Sequence, residues 1–149
     1  MRDAVTADPG RLARLRDALA GTLPGVLGIR IDEAGEGTLR ASMPVAARVM
    51  APNGYVHAGS LVTLADTACG IGCWLGLPED GPGFTTLELK SNFIGAARGD
   101  ELTCRARRVH GGRTTEVWDA EVSDADGRTV ALFRCTQLVL APAAPPPAV

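Results

Sequence analysis

The chain has 149 residues, enough for one domain with a substantial core and too few for two. Hydrophobic residues make up 46 % of it, which excludes a disordered chain. The formal net charge is −2, so there is no electrostatic footprint for nucleic acid, and no RNP-like or zinc-finger pattern accompanies it.

The first ten residues, MRDAVTADPG, have no apolar run and predict no signal peptide. Residues 1–8 are expected to be flexible, and a single domain is expected over 9–140. Leu12, Leu15 and Leu19 are spaced as one face of a helix over 9–22, ended near Gly21. VLGIRIDEAG and GTLRASMPV then predict two strands joined by a turn over Glu33 to Gly37. Ile29 and Ile31, then Leu39, Ala41 and Met43, alternate as a half-buried hairpin requires.

APNGYV is a loop by its Pro-Asn-Gly cluster. From His57 to about Leu77 runs the longest helical candidate, apolar or small on nearly every side, and so buried on most of them. A membrane span is opposed by its four glycines and its central aspartate, since a mid-span Asp costs about 2.5–3.5 kcal/mol. PEDGPG breaks the helix. Four strands follow in GFTTLELKSNFIG, DELTCRARRVH, TTEVWDAEVSD and RTVALFRCTQLVL, with DADG as a hairpin turn. In the third of these, Glu116, Trp118, Ala120 and Val122 share one face and Val117, Asp119, Glu121 and Ser123 the other. The tail, 141–149, is Pro/Ala-rich and expected to be disordered.

Six strands and one long helix predict an α+β fold in which a curved antiparallel sheet wraps the helix, with a short N-terminal helix beside it. One sheet covers one side of a helix, and its edges need protection. At least a dimer is therefore expected.

Cys69, Cys73, Cys104 and Cys135 form no C-x-x-C pair, which argues against zinc. Cys69 and Cys73 would stand about 5–6 Å apart on a helix, beyond the roughly 3.5–4.5 Å between the Cβ atoms of a disulfide. All four read as small buried hydrophobes in a reducing, cytoplasmic setting. No metal is expected.

Asp66 is the only formal charge between Arg48 and Glu79. Its neighbours one turn away are Val62, Thr63, Cys69 and Gly70, none of them cationic, so no local ion pair explains it. Burial disfavours the charged form of such a group. It is either a working carboxylate or a solvent-facing member of a thin polar stripe with Thr63, Thr67 and Gly70. At the helix start, N-G-x-x-H-A-G places the N–H groups of Ala58, Gly59 and Ser60 at the positive end of the helix dipole, where an oxyanion can bind. His57 either orients a carbonyl or ties down the loop. Asn53 either caps the loop or places a water.

N-G-x-x-H-A-G-x-x-x-x-L-A-D-T-A, then T-T-L-E-L-K-S-N-F-I-G-A-A-R-G-D and G-G-R-T, resemble the hotdog-fold acyl-CoA thioesterases. The closest type is that of phenylacetic acid degradation, related to 4-hydroxybenzoyl-CoA thioesterases. The resemblance spans roughly Val26 to Leu140. It implies a helix wrapped by its sheet, and dimers that often pair into tetramers. It also implies an active site at the dimer interface, with the acid and the helix-start loop from different subunits. Asp66 would be the nucleophile or general base, and the Ala58 N–H, with Gly59, would polarise the thioester carbonyl. His57 and Asn53 would shape the loop and the water. The chain departs from the family pattern at Ala58, usually Gly; at Ala51, usually Asn or Gln; and at Gly70, Ser or Thr in some relatives.

The resemblance further implies substrate contacts at Thr67, Thr85, Thr86, Asn92 and Phe93, with Ile94 beside them. Arg98, Arg108, His110 and Arg113 are candidates for the CoA phosphates, because guanidinium pairs with phosphate bidentately. The expected activity is hydrolysis of an aryl- or short- to medium-chain acyl-CoA. No cofactor is expected, because coenzyme A belongs to the substrate. No nucleic-acid or membrane partner is expected, and the chain should be a homodimer or dimer of dimers. The alternative is a non-catalytic acyl-CoA- or lipid-binding protein on the same fold. A hydratase is disfavoured because the D-x-x-x-x-H arrangement is absent.

Overall fold

The computed structural model describes residues 8–141. The expected flexible start and disordered tail lie almost wholly outside them. Asp8 caps helix α1 (Pro9–Leu19), its carboxylate accepting the N–H groups of Gly10 and Arg11 at 3.2 and 3.1 Å. A short helix α2 (Leu23–Val26) follows, with Pro in its first turn. The sequence reading began the first strand at Val26, the last residue of this helix. The strand β1 instead begins at Arg30 and runs to Gly35, because Pro24 favours a helical turn and Gly28, at φ +78°, turns the chain just before it. β2 (Thr38–Pro44) pairs antiparallel with β1 around Gly37 at φ +62°, so the turn is tighter than expected and Glu33 remains in the strand.

The long helix α3 (Ala58–Leu75) ends two residues before the expected limit, with Gly76 as its C-cap. β3 (Phe84–Phe93), β4 (Glu101–Gly111), β5 (Thr115–Ser123) and β6 (Thr129–Val139) complete one antiparallel sheet ordered β1-β2-β4-β5-β6-β3. All six expected strands are present, and the sheet packs its inner face on α3. α3 is long and apolar enough to cross a membrane, but most of it is buried inside the fold, as the core helix.

The glycines of α3 have a packing reason. A Cβ on Gly72 would sit 2.6 Å from the Trp118 ring, and one on Gly70 would sit 3.1 Å from the Phe84 ring. The missing side chains let two aromatic rings lie against the helix, which offsets the roughly 1 kcal/mol cost of each helical glycine. Trp118 is wholly buried, and its Nε1–H donates to Glu116 Oε2 at 2.8 Å. Arg108 in turn approaches Glu116 Oε1 at 3.4 Å. On β5 the buried face is Glu116, Trp118, Ala120 and Val122, the alternation read from the sequence. At the far end of α3, the buried Arg11 donates to the carbonyls of Leu77 (2.6 Å) and Trp74 (2.8 Å), satisfying helix-end acceptors.

Gly72→Ala should test this packing. The ring is rigid and enclosed, so overpacking outweighs the helix-propensity gain and the variant loses about 1–3 kcal/mol. Thermal denaturation should show Tm lower by roughly 2–4 °C for each kcal/mol lost.

Candidate active site

His57 caps α3. Its Nδ1 accepts the Gly59 N–H at 2.8 Å, and its carbonyl accepts the N–H of Ser60 at 2.9 Å. Its own N–H donates to the Val49 carbonyl at 2.9 Å, which the Ser60 hydroxyl also reaches at 2.9 Å. Of the three N–H groups expected to hold an oxyanion, Gly59 and Ser60 are therefore taken up by His57. The Ala58 N–H has no acceptor among the described residues and lies at the first helical position, exposed. Ala in place of Gly is tolerated there, since no non-glycine residue has positive φ among the described residues. Asn53 stabilises the preceding loop: its Oδ1 accepts the Tyr55 N–H at 3.3 Å, and Ala51 donates to the Tyr55 carbonyl at 2.7 Å.

Asp66 lies two turns further along α3, half-buried. Its Oδ1 accepts the Thr86 hydroxyl at 3.2 Å, and no ion pair to it occurs among the described residues. Burial raises its pKa above the ordinary 3.8, and the Thr86 bond opposes that only in part. The thin-stripe alternative placed Asp66 facing solvent; it faces the sheet instead. Behind Thr86 stands Gln137, wholly buried, with its Oε1 3.0 Å from the same hydroxyl. Sequence reading missed Gln137. The available signal was an amide on the inward-facing register of β6, two residues from buried Cys135 and four from buried Phe133.

The cysteines are free and buried, as expected. Hydrogen bonding to Cys135 and burial hold the Cys69 thiol well above its ordinary range, and burial pushes Cys104 up to about 12, so both stay protonated. Among the described residues no group of three or more His, Cys, Asp or Glu could hold a metal ion.

The remaining candidates are scattered over one protomer. Thr86 points inward, and Thr85, one residue earlier, points to the outer face and is exposed. Thr67 is half-buried beside Asp66. Asn92 lies on the outer face, opposite Asp66, where it lines a groove of about 940 Å³ with Lys90, Arg40, Arg105 and Arg134. Phe93 and Ile94 are exposed at the end of the edge strand. Arg98 sits at the end of the sheet where its N–H donates to Asp124 Oδ2 at 3.1 Å. Arg108, His110 and Arg113 sit at the opposite end, around the β4–β5 connection. Arg108 is committed to Glu116, because a buried carboxylate stripped of its cation is costly. The four expected phosphate partners thus do not converge within one chain.

A curved six-stranded antiparallel sheet around one central helix, with a polar helix start and a half-buried carboxylate inside it, defines a hotdog-fold hydrolase. Residues 53–131 match the thioesterase superfamily, and the chain belongs to that family: it is a thioester hydrolase. It is 32 % identical over 120 residues to the 1,4-dihydroxy-2-naphthoyl-CoA hydrolase of Escherichia coli, covering 80 % of this chain and 88 % of the relative. Its fold is similar to the Pseudomonas aeruginosa thioesterase PA1618, solved as a mutant, with a TM-score of 0.86 and 31 % identity over 92 % of this chain and 99 % of that one. It is also similar to the E. coli PaaI protein of the phenylacetic acid degradation operon, with a TM-score of 0.76 and 28 % identity over 90 % and 97 % of the two chains.

Asp66 should cost the fold stability. The folded chain holds this proton more tightly than the unfolded one, so the contribution is fully present below pH 3.8 and is lost as pH rises through the raised value. Asp66→Asn should therefore melt higher than wild type at neutral pH, the gain vanishing in melts near pH 3.8 and below.

Proposed function

We propose that the protein hydrolyses an acyl-CoA thioester, with an aryl or short- to medium-chain acyl group, at a site completed by two copies of the chain. One observation carries this reading: a half-buried carboxylate without a cation shares its helix with an unpaired N–H at the helix start. Asp66 is eight residues from Ala58, about 12 Å along the axis. An acid and an oxyanion donor acting on one carbonyl must each come within about 3 Å of it. Ala58 of one copy and Asp66 of another meet that requirement; the two within one helix do not.

The sheet edges support the pairing. On β1 the carbonyls of Ile31 and Asp32 accept from Arg16 at 2.9 and 3.1 Å, which blunts that edge. The β3 edge has no such cover and exposes Leu87 (55 %), Leu89 (41 %) and Phe93 (48 %). A second β3 alongside would continue the sheet and bring two copies of α3 together.

In the bound complex, the thioester oxygen accepts from the Ala58 N–H, where the helix dipole favours growing negative charge. Asp66 either takes a proton from the attacking water or attacks the carbonyl carbon itself, in which case water hydrolyses the mixed anhydride that remains once the thiolate has left. The C–S bond then breaks and coenzyme A leaves as a thiolate, a good leaving group that needs no strong acid. His57 holds the helix start in register and Asn53 the loop before it. Arg98 and His110 are the candidates for phosphates at the rim, with Arg113 beside His110 in the β4–β5 connection; Arg108 and the Gly59 N–H are committed elsewhere. The chemistry draws on no cofactor beyond the coenzyme A of the substrate. The aryl-CoA named for the E. coli relative makes aryl thioesters the first class to assay.

Free thiol should appear when the protein is mixed with benzoyl-CoA, phenylacetyl-CoA or medium-chain acyl-CoA. Asp66→Asn should lower kcat about 10²- to 10⁴-fold. Ala58→Pro removes the proposed donor at a position that tolerates proline, because it is the first of the helix and His57 before it is extended, at φ −64° and ψ 134°. It should lower kcat about 10²- to 10³-fold with little change in Tm. Saturable binding without thiol release would overturn the reading in favour of a ligand-binding protein.

A further inference from the structure

Gln137 is wholly buried on the inner face of β6. A hydrophobe of its volume would fill that place without needing polar partners, whereas a buried amide must find them or cost stability. Its partners are specific. Nε2 donates to Cys135 Sγ at 3.2 Å, which turns Oε1 toward Thr86 at 3.0 Å. The Thr86 hydroxyl also lies 3.2 Å from Asp66 Oδ1. A hydroxyl has one proton, and here it faces two acceptors.

We propose that Gln137 is a positioning residue for Asp66: its amide oxygen competes for the single Thr86 proton and leaves the ionised carboxylate short of a donor. This rests on the reading of Asp66 as the working acid. The Cys135 thiol fixes the direction of the chain by holding the amide nitrogen away from Thr86. A carboxylate so deprived is a stronger base and holds a proton more readily when one arrives from water.

No other group in the surroundings does this. The titratable neighbour on α3 is Cys69, which itself meets Cys135 of β6 and Cys104 of β4, all buried thiols. On β5, Glu116 is matched by Arg108. Glu88 and Lys90 of β3 have their register partners, Thr136 and Arg134, on the outer face, and Glu88 there accepts from Thr136 at 2.7 Å. β2 presents Leu39, Ala41 and Met43 to the core.

The test reads Asp66 without substrate, from the carboxyl infrared band that Asp66→Asn abolishes, titrated against pH. Gln137→Met keeps volume and removes the amide. Its Asp66 midpoint should fall by about half a pH unit or more, and the acid limb of the kcat–pH profile should move down with it while KM stays nearly constant. Thr86→Val should move the midpoint up, and Thr86→Ser should restore it. Cys135→Ala, a small change that frees the amide to turn, should lower the midpoint as Gln137→Met does, and it decides the matter if the latter fails to fold. A midpoint unmoved or raised in the folded variant overturns the proposal. Absence of turnover with every acyl-CoA would overturn the thioesterase reading instead, and the infrared titration would still decide the role of Gln137.

Discussion

The structure depends on enclosing a helix that is apolar on nearly all sides. α3 cannot face water, so the sheet must curl around it, and close contact is bought with side chains left out at Gly70 and Gly72. Each consequence leads to another. The Trp118 ring that fills the space carries an N–H needing an acceptor, Glu116 supplies it, and the buried Glu116 requires Arg108. At the C-terminal end, Arg11 crosses from α1 to meet the last carbonyls. The N-terminal end is left open, with His57, Ala58 and Gly59 exposed in the single chain.

Asp66 is the exception inside that arrangement. Among the described residues the other buried charges are matched, Glu116 by Arg108 and Arg11 by the carbonyls of Leu77 and Trp74. Asp124 shows the ordinary solution: burial alone would raise its pKa, but the N–H groups of Arg128, Arg98 and Asp126 and the Arg128 guanidinium outweigh it and hold the group below its usual value. Asp66 has a shared hydroxyl and no cation. A carboxylate left so poorly solvated costs the fold stability, which supports the proposal that it is a reactive group.

The two halves of the proposed chemistry lie on one rigid rod, separated by more than a carbonyl can span. In the proposed pair two such rods run side by side, and each offers its start to the other's acid. The covered edge at β1 and the uncovered apolar edge at β3 favour one direction of association. The candidate substrate and phosphate residues, scattered on one chain, are to be judged against that proposed pair.

Much of this was legible in the residues. Hydrophobic periodicity gave the six strands, the long helix and the inward face of β5, because period and burial are local consequences of side-chain chemistry. The isolated charge at Asp66 and the glycine-bearing helix start with His57 stood out for the same reason. The boundary of β1 was misread, since apolar residues around Leu27 fit a helical turn as readily as a strand. Which N–H groups at the helix start remain available was not legible, because that depends on the rotamer of His57. Nor was the burial of Gln137 against Thr86, since these lie 51 residues apart, or the pairing of Arg108 with Glu116, since it depends on the register of the β4–β5 hairpin. The sequence by itself determined the elements and singled out the carboxylate, because pattern and charge are properties of neighbouring residues. Only the tertiary structure decided which groups that carboxylate meets, because the partners of a buried polar atom are set by how sheet and helix close upon each other.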